Sequence, residues 1–227
     1  MNNRPIKFNN QKLNILYRDD SDESVIDEIF VDRLYRRLDE IIPDLINPII
    51  DVGAHIGLFS LYARILNQTA VIYALEPEAN NFDLLKQNLK LNSQTNIIAR
   101  QLALHWLPDK TTPLFLSSNN HNHSTYQKND HPVNVSAIEL QKFVDTNNID
   151  RIGLIKLDVE GAELNLLPSW SDQLWNKINW IVLEYHTNSS RRKAELQDLI
   201  RSKKFSLEHF PSPFDHRFGL LIGKRKK

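Results

Sequence analysis

Cysteine is absent from this chain of 227 residues, and that absence excludes disulfides, thiolate metal sites and a cysteine nucleophile. It also suits a cytoplasmic protein. Net charge is missing as well: Lys+Arg and Asp+Glu both number 28, so no whole-molecule field favours wrapping nucleic acid. Long apolar runs are lacking. Stretches such as Asn179 to Tyr185 are strand-sized, and the opening residues Met1 to Lys7 have no apolar core of the kind a signal peptide needs. No membrane and no nucleic-acid partner is therefore expected, and the basic tail Lys224 to Lys227 reads as a solvated end. Glycine is scarce, with six in all, so the place of each carries information. What is present, 41% hydrophobic and 25% charged residues, fits one globular domain large enough to enclose a small ligand.

Apolar periodicity gives the organisation. Ile26, Phe30, Leu34, Leu38 and Ile41 recur at three- and four-residue spacing, which predicts a helix over 23–42 that Pro43 ends. Strand-like and helix-like segments then alternate. Residues 48–52, 70–75 and 95–104 read as strands, and 58–66 and 81–91 as helices, the rhythm of βαβ units around a parallel sheet. A stretch rich in proline and polar residues, 105–135, interrupts it as a long irregular insertion. The alternation resumes with a helix at 138–146, a strand at 152–159, a short helix at 162–167, a strand at 180–185 and a helix at 191–203. Residues 205–209 and 218–222, separated by Pro211-Ser212-Pro213, read as a closing antiparallel hairpin. Trp106, Trp170, Trp175 and Trp180 are expected in core or rim packing, since their spacing does not suit stacking on bases.

Two of the six glycines, Gly53 and Gly57, follow the strand at 48–52 within the loop Asp51-Val52-Gly53-Ala54-His55-Ile56-Gly57. Glycine past a strand end permits a tight turn and close ligand approach, and a helix starting near Gly57 aims its amides at the same crevice. Glu76 ends the next strand, where an acidic side chain can accept both hydroxyls of a ribose. The loop lacks the third glycine of the dinucleotide fingerprint, so a nucleoside ligand without a pyrophosphate fits it better. S-adenosylmethionine is such a ligand, and Asp51 near its amino group is chemically reasonable.

Two later strands end in paired motifs, Asp158-Val159-Glu160 and Glu184-Tyr185-His186. Side chains two apart share a strand face, so parallel neighbours would deliver Asp158, Glu160, Glu184 and His186 into one crevice. Three anions together require a protonated member, a bound divalent cation, or compensation by Lys156 and His186. His186 is the candidate general base for removing a hydroxyl proton, with Glu184 or Asp158 orienting its ring. If a metal binds, Asp158, Glu184 and His186 are the candidate ligands. Glu163 sits where a helix start favours a carboxylate. His121 and His123 read as flexible loop histidines, while Ser124 and Thr125 are candidate substrate contacts.

These segments together, Asp51 to Gly57, Glu76-Pro77, Lys156-Leu157-Asp158-Val159-Glu160-Gly161-Ala162-Glu163 and Glu184-Tyr185-His186, resemble the FkbM methyltransferases, and Val25 to Phe30 looks like that family's N-terminal segment. The resemblance covers roughly Val25 to His186. It implies a Rossmann-like class I α/β fold whose seven-stranded, mostly parallel sheet has one reversed strand and helices on both faces. The methyltransferase domain would span 48–227, with 1–47 as a helical extension packed on it. S-adenosylmethionine would be held by Gly53, Gly57 and Glu76, with Ala103 and Leu104 near the adenine. The reaction centre would be Asp158, Glu160, Glu184 and His186. The expected acceptor is a hydroxyl on a sugar or on a polyketide or peptide intermediate, free or tethered to a carrier protein. His55 departs from the asparagine more usual in the family's loop; it can still hydrogen-bond, but protonating it would disfavour a cationic cofactor. Two other readings remain. The missing third glycine argues against a nicotinamide-dependent oxidoreductase, and the intact strand ends argue against a non-catalytic Rossmann-like interaction module.

Overall fold

The computed structural model describes residues 1–107, 110–115, 132–186, 189–212 and 218–226, with the side chains of Phe115, His186 and Ser190 left aside. The chain opens on an antiparallel hairpin, β1 (Asn2–Phe8) and β2 (Gln11–Tyr17). Asn9 and Asn10 turn it with φ of 46° and 61°, the left-handed conformation that asparagine tolerates and that suits the twist of a tight hairpin. Ile6, Phe8, Leu13 and Ile15 point inward, so the extension expected to be helical is strand in its first part.

Helix α1 (Asp20–Phe30) starts at Asp19, whose carboxylate accepts from the amides of Ser21 and Asp22. It stops eleven residues on, short of the helix expected over 23–42. The amides of Val31 and Asp32 both reach the Asp27 carbonyl at 2.8 Å, and Arg33 turns the chain at φ 60°. Short 3₁₀ turns at Arg36–Leu38 and Ile42–Asp44 then keep Leu38 and Ile42 buried. Burial continues where the helix does not, which is why the apolar spacing runs on.

The alternating core follows as β3 (Ile49–Val52), α2 (Leu58–Leu66), β4 (Ile72–Leu75), α3 (Ala79–Leu91) and β5 (Ile97–Arg100). The single strand expected over 95–104 is two. Past β5, β6 (Ala103–Leu104) leaves the main sheet and pairs with β8 (Pro132–Ile138), which also pairs with β7 (Thr111–Phe115). The expected irregular insertion is therefore strand at both its described ends. Then come α4 (Leu140–Thr146), β9 (Ile152–Leu157), α5 (Glu163–Leu166), α6 (Asp172–Lys177), β10 (Ile178–His186), α7 (Ser190–Ser202), β11 (Phe205–Pro211) and β12 (Phe218–Arg225).

The main sheet has seven strands in the order β11-β12-β10-β9-β3-β4-β5. From β10 to β5 neighbours run parallel, while β12 lies antiparallel to both β10 and β11. Alternate side chains build the two faces. Ile49, Leu154 and Val182 pack under α1, α2, α3 and the hairpin; Ile50, Ile155 and Ile181 pack under α4 to α7 together with Trp170 and Trp175. The strand order reverses between β3 and β9, and the open crevice lies beyond their carboxyl ends.

Asn67 fastens the extension to this core. Its buried side-chain amide donates to the carbonyls of Ile42 and Leu45 at 2.8 Å each, and its oxygen accepts from the amides of Thr69 and Ala70. Asn67→Ala strands these backbone groups, so it should lower the unfolding free energy by about 2–3 kcal/mol in urea titration. An unchanged midpoint would contradict that role.

Candidate active site

A cavity of about 870 Å³ opens over the carboxyl ends of β3, β4, β9 and β10, within the range of small-molecule sites. Its floor begins at the loop after β3. Gly53 adopts φ 73°, and a Cβ there would lie 2.0 Å from the Asp158 carbonyl oxygen, so only glycine lets the β3 and β9 ends approach this closely. His55, also left-handed at φ 50°, aims its backbone amide at Glu76 Oε2, 2.8 Å away. Glu76 Oε1 accepts from the Glu78 amide at 2.9 Å and faces the Asn81 side chain at 3.4 Å. Burial raises the Glu76 carboxyl above its ordinary value, opposed by His55 and these amides. Pro77, Leu102, Ala103 and Leu104 line the same end, an apolar slot beside a carboxylate that could take an adenosine.

The centre of the site is a buried ion cluster. Register pairing sets Asp51 beside Lys156, and Glu184 lies two residues beyond Val182, the partner of Lys156 on the other side. Lys156 Nζ lies 3.6 Å from Asp51, 3.4 Å from Asp158 and 3.9 Å from Glu184, and it donates to the Gly53 carbonyl at 3.1 Å. Burial works to lower the Lys156 pKa, but Asp158, Asp51 and Glu184 outweigh it and hold the ammonium charged. Asp51, fully buried and bonded by the Ser60 hydroxyl at 2.7 Å, is pushed up by desolvation despite Lys156. Tyr35, reaching in from the extension, donates its hydroxyl to Glu184 and packs edge-on against Phe59. Burial, then the charges of Glu184 and Asp158, raise the Tyr35 pKa well above its ordinary value, so it stays a donor.

Asp158, Glu160 and Glu184 all line the cavity, and Glu160 does so from a left-handed conformation at φ 50°. His186 ends β10 opposite Phe218, and its side chain lies outside the described residues, as do His121, His123, Ser124 and Thr125 entirely. Glu163 instead bonds the Gly161 amide at 3.0 Å. Two expected cofactor contacts stand behind the cavity wall. Asp51 is sealed below Lys156, and Gly57 spends its amide on the Ala54 carbonyl while letting α2 pack against Leu85, 3.2 Å from where a Cβ would sit. Sequence reasoning missed Tyr35, Arg36 and Arg37 at the opposite end, near Tyr185 and Phe210, because nothing local marks them. It also missed the partners of His55. Its Nε2 lies 3.3 Å from both Asp22 Oδ1 and the Arg18 guanidinium. Burial would raise the Asp22 carboxyl, but Arg18 and His55 hold it well below the usual carboxylate range.

A sheet of this order, with one reversed strand and a ligand crevice over its middle strands, is the Rossmann-like fold of the class I methyltransferases. The magnesium protoporphyrin IX methyltransferase (ChlM) of Synechocystis PCC 6803, solved with bound SAM, matches it with a TM-score of 0.52 at 12% identity, over 91% of this chain and 81% of that one. Within that class, residues 51–208 match the methyltransferase FkbM domain, and the chain belongs to that family. Methyltransferase 1 of Beauveria bassiana is 29% identical over 228 residues, covering 89% of this chain and 90% of that protein. The 31-O-demethyl-FK506 methyltransferase FkbM of Streptomyces tacrolimicus is 26% identical over 215 residues, covering 79% and 80%.

Replacing Lys156 by leucine leaves buried carboxylates without their cation. Stability should fall by about 3–5 kcal/mol, measured by chemical denaturation. A variant as stable as the parent would mean that the carboxylates are compensated from elsewhere.

Proposed function

We propose that this methyltransferase moves a methyl group from S-adenosylmethionine to a hydroxyl of a sugar or of a polyketide or peptide intermediate, free or carrier-tethered. The observation that carries this reading is one cavity with an apolar, carboxylate-anchored slot at one end and an acidic, lysine-centred cluster in its middle. Gly53 and His55 form the floor, Glu76 takes the ribose hydroxyls, and Ala103 and Leu104 flank the adenine. Bound there, S-adenosylmethionine supplies an electrophilic methyl on a sulfonium. The carboxylates of Asp158 and Glu184 outnumber the ammonium they share with Asp51, which favours a cationic ligand beside them.

His186 takes the proton from the acceptor hydroxyl as its oxygen bonds to the methyl carbon. The carbon–sulfur bond breaks, its electron pair stays on sulfur, and a methyl ether and S-adenosylhomocysteine result. Glu160 and Asp158 orient the hydroxyl, and Glu184, fixed by Tyr35, orients the imidazole. Lys156 supplies one cation to the carboxylate cluster and the sulfonium would supply a second, so in this reading Asp158, Glu184 and His186 serve without a divalent metal among them. The name of the Streptomyces relative supports an oxygen acceptor.

His186→Ala should slow transfer by about 10²- to 10⁴-fold while S-adenosylhomocysteine affinity by calorimetry stays within about twofold. An unchanged rate would remove His186 as the base, and binding of NAD in place of S-adenosylhomocysteine would sink the whole reading. Transfer should also persist after exhaustive chelation; loss of activity restored by magnesium, manganese, iron or zinc would instead make the acidic residues metal ligands.

A further inference from the structure

Arg18 and Asp22 precede the matched family domain, and no step of the reaction above uses them, yet they form a tightly bonded charged pair behind the cofactor slot. Asp22 is wholly buried. Its carboxylate receives Arg18 Nε and a terminal guanidinium nitrogen at 2.8 Å each, together with the Arg18 backbone amide at 2.9 Å. A bidentate pair of this kind fixes both side chains in plane. The same terminal nitrogen donates to Asn81 Oδ1 at 2.7 Å and lies 3.3 Å from His55 Nε2.

From these two neighbours the contacts converge on one carboxylate. The Asn81 side-chain nitrogen faces Glu76 Oε1 at 3.4 Å, and the His55 backbone amide donates to Glu76 Oε2 at 2.8 Å. The Asn81 amide can take only one orientation here. Reversing it would set its NH₂ against the guanidinium and its oxygen against the Glu76 carboxylate. His55 is held in the left-handed region, unfavourable for a residue with a Cβ, by contacts that include the same Arg18–Asp22 pair. Each oxygen of Glu76 thereby has one contact that traces back to the N-terminal extension, beside the Glu78 amide that also bonds Oε1.

We propose that Arg18 and Asp22 are positioning residues for the cofactor: acting through Asn81 and His55, they set the orientation of Glu76 and so its grip on the ribose. The proposal rests on the reading of Glu76 as the ribose anchor. Arg18→Lys keeps a cation for Asp22 but cannot bond Asp22 and Asn81 together in one plane. Asn81→Ala leaves the Arg18–Asp22 pair intact and cuts one route, so it serves should the lysine variant fold poorly. Both are compared with the parent by calorimetric titration of S-adenosylhomocysteine and of its 2′-deoxy analogue, with thermal melting to verify folding.

The expected result is a roughly tenfold loss of affinity for S-adenosylhomocysteine, the size of one misplaced charge-assisted hydrogen bond, with little change for the 2′-deoxy analogue. Either substitution added to Glu76→Gln should cost nothing further. Equal losses for the two ligands, additive losses with Glu76→Gln, or unchanged affinity would each overturn the proposal. A parent protein that binds S-adenosylhomocysteine and its 2′-deoxy analogue equally well overturns the ribose-anchor reading of Glu76, and this proposal falls with it. A parent that binds neither overturns the cofactor reading itself.

Discussion

A single buried ammonium makes this crevice possible. Strands β3, β9 and β10 bring Asp51, Asp158 and Glu184 to adjoining positions, where desolvated carboxylates repel and would take up protons. Lys156 stands among them, 3% exposed, and also donates to the Gly53 carbonyl on the turn that forms the cavity floor. One cation thus holds together three strand ends and the loop. Because it is outnumbered, the pocket stays negative in its middle, a setting complementary to a sulfonium without any formal charge on the molecule as a whole.

The extension completes the site rather than decorating it. Tyr35 closes over Glu184, Arg36 and Arg37 line the far end, and Arg18 and Asp22 back the loop that carries His55. The hairpin earns its place through Asn88 and Asn92 of the α3 segment, whose side chains exchange hydrogen bonds with the backbones of Leu16 and Asn14. Side-chain amides here substitute for strand neighbours that β2 lacks on that side. The N-terminal residues are therefore bonded to the same helix, α3, whose first turn supplies Asn81 to Glu76.

Much of the core was legible because period governs it. Helix α2 occupies the residues expected, and β3, β4, α3, β9 and β10 lie within a few residues of the expected spans, since each alternation of apolar side chains has a sheet face or helix stripe to fill. The strand-end pairs were legible only in part: Glu184 lies on β10, but β9 ends at Leu157, so Asp158 and Glu160 reach the cavity from the turn beyond it, Glu160 at φ 50°, and not from one strand face. Depth was not legible. Asp51 and Gly57 belong to the loop motif, yet one lies beneath Lys156 and the other faces Leu85, and distance from the cavity is a property of packing, not of spacing. Contacts that span the chain were hidden too, as with Tyr35 and Glu184, 149 positions apart. The break in the first helix escaped because the residues beyond it remain buried, so the pattern that signals burial ran past the hydrogen bonds that define helix.

The reversed strand β12 also sets an order of assembly. In the main sheet, β11 bonds only to β12, and β12 sits between it and β10, so β11 cannot join until the residues after it have been made. Gly53, His55 and Glu76 come from the first half of the chain, while Phe210 and Gly219 line the cavity from its last two strands. The cavity is thus complete only once this last hairpin has docked.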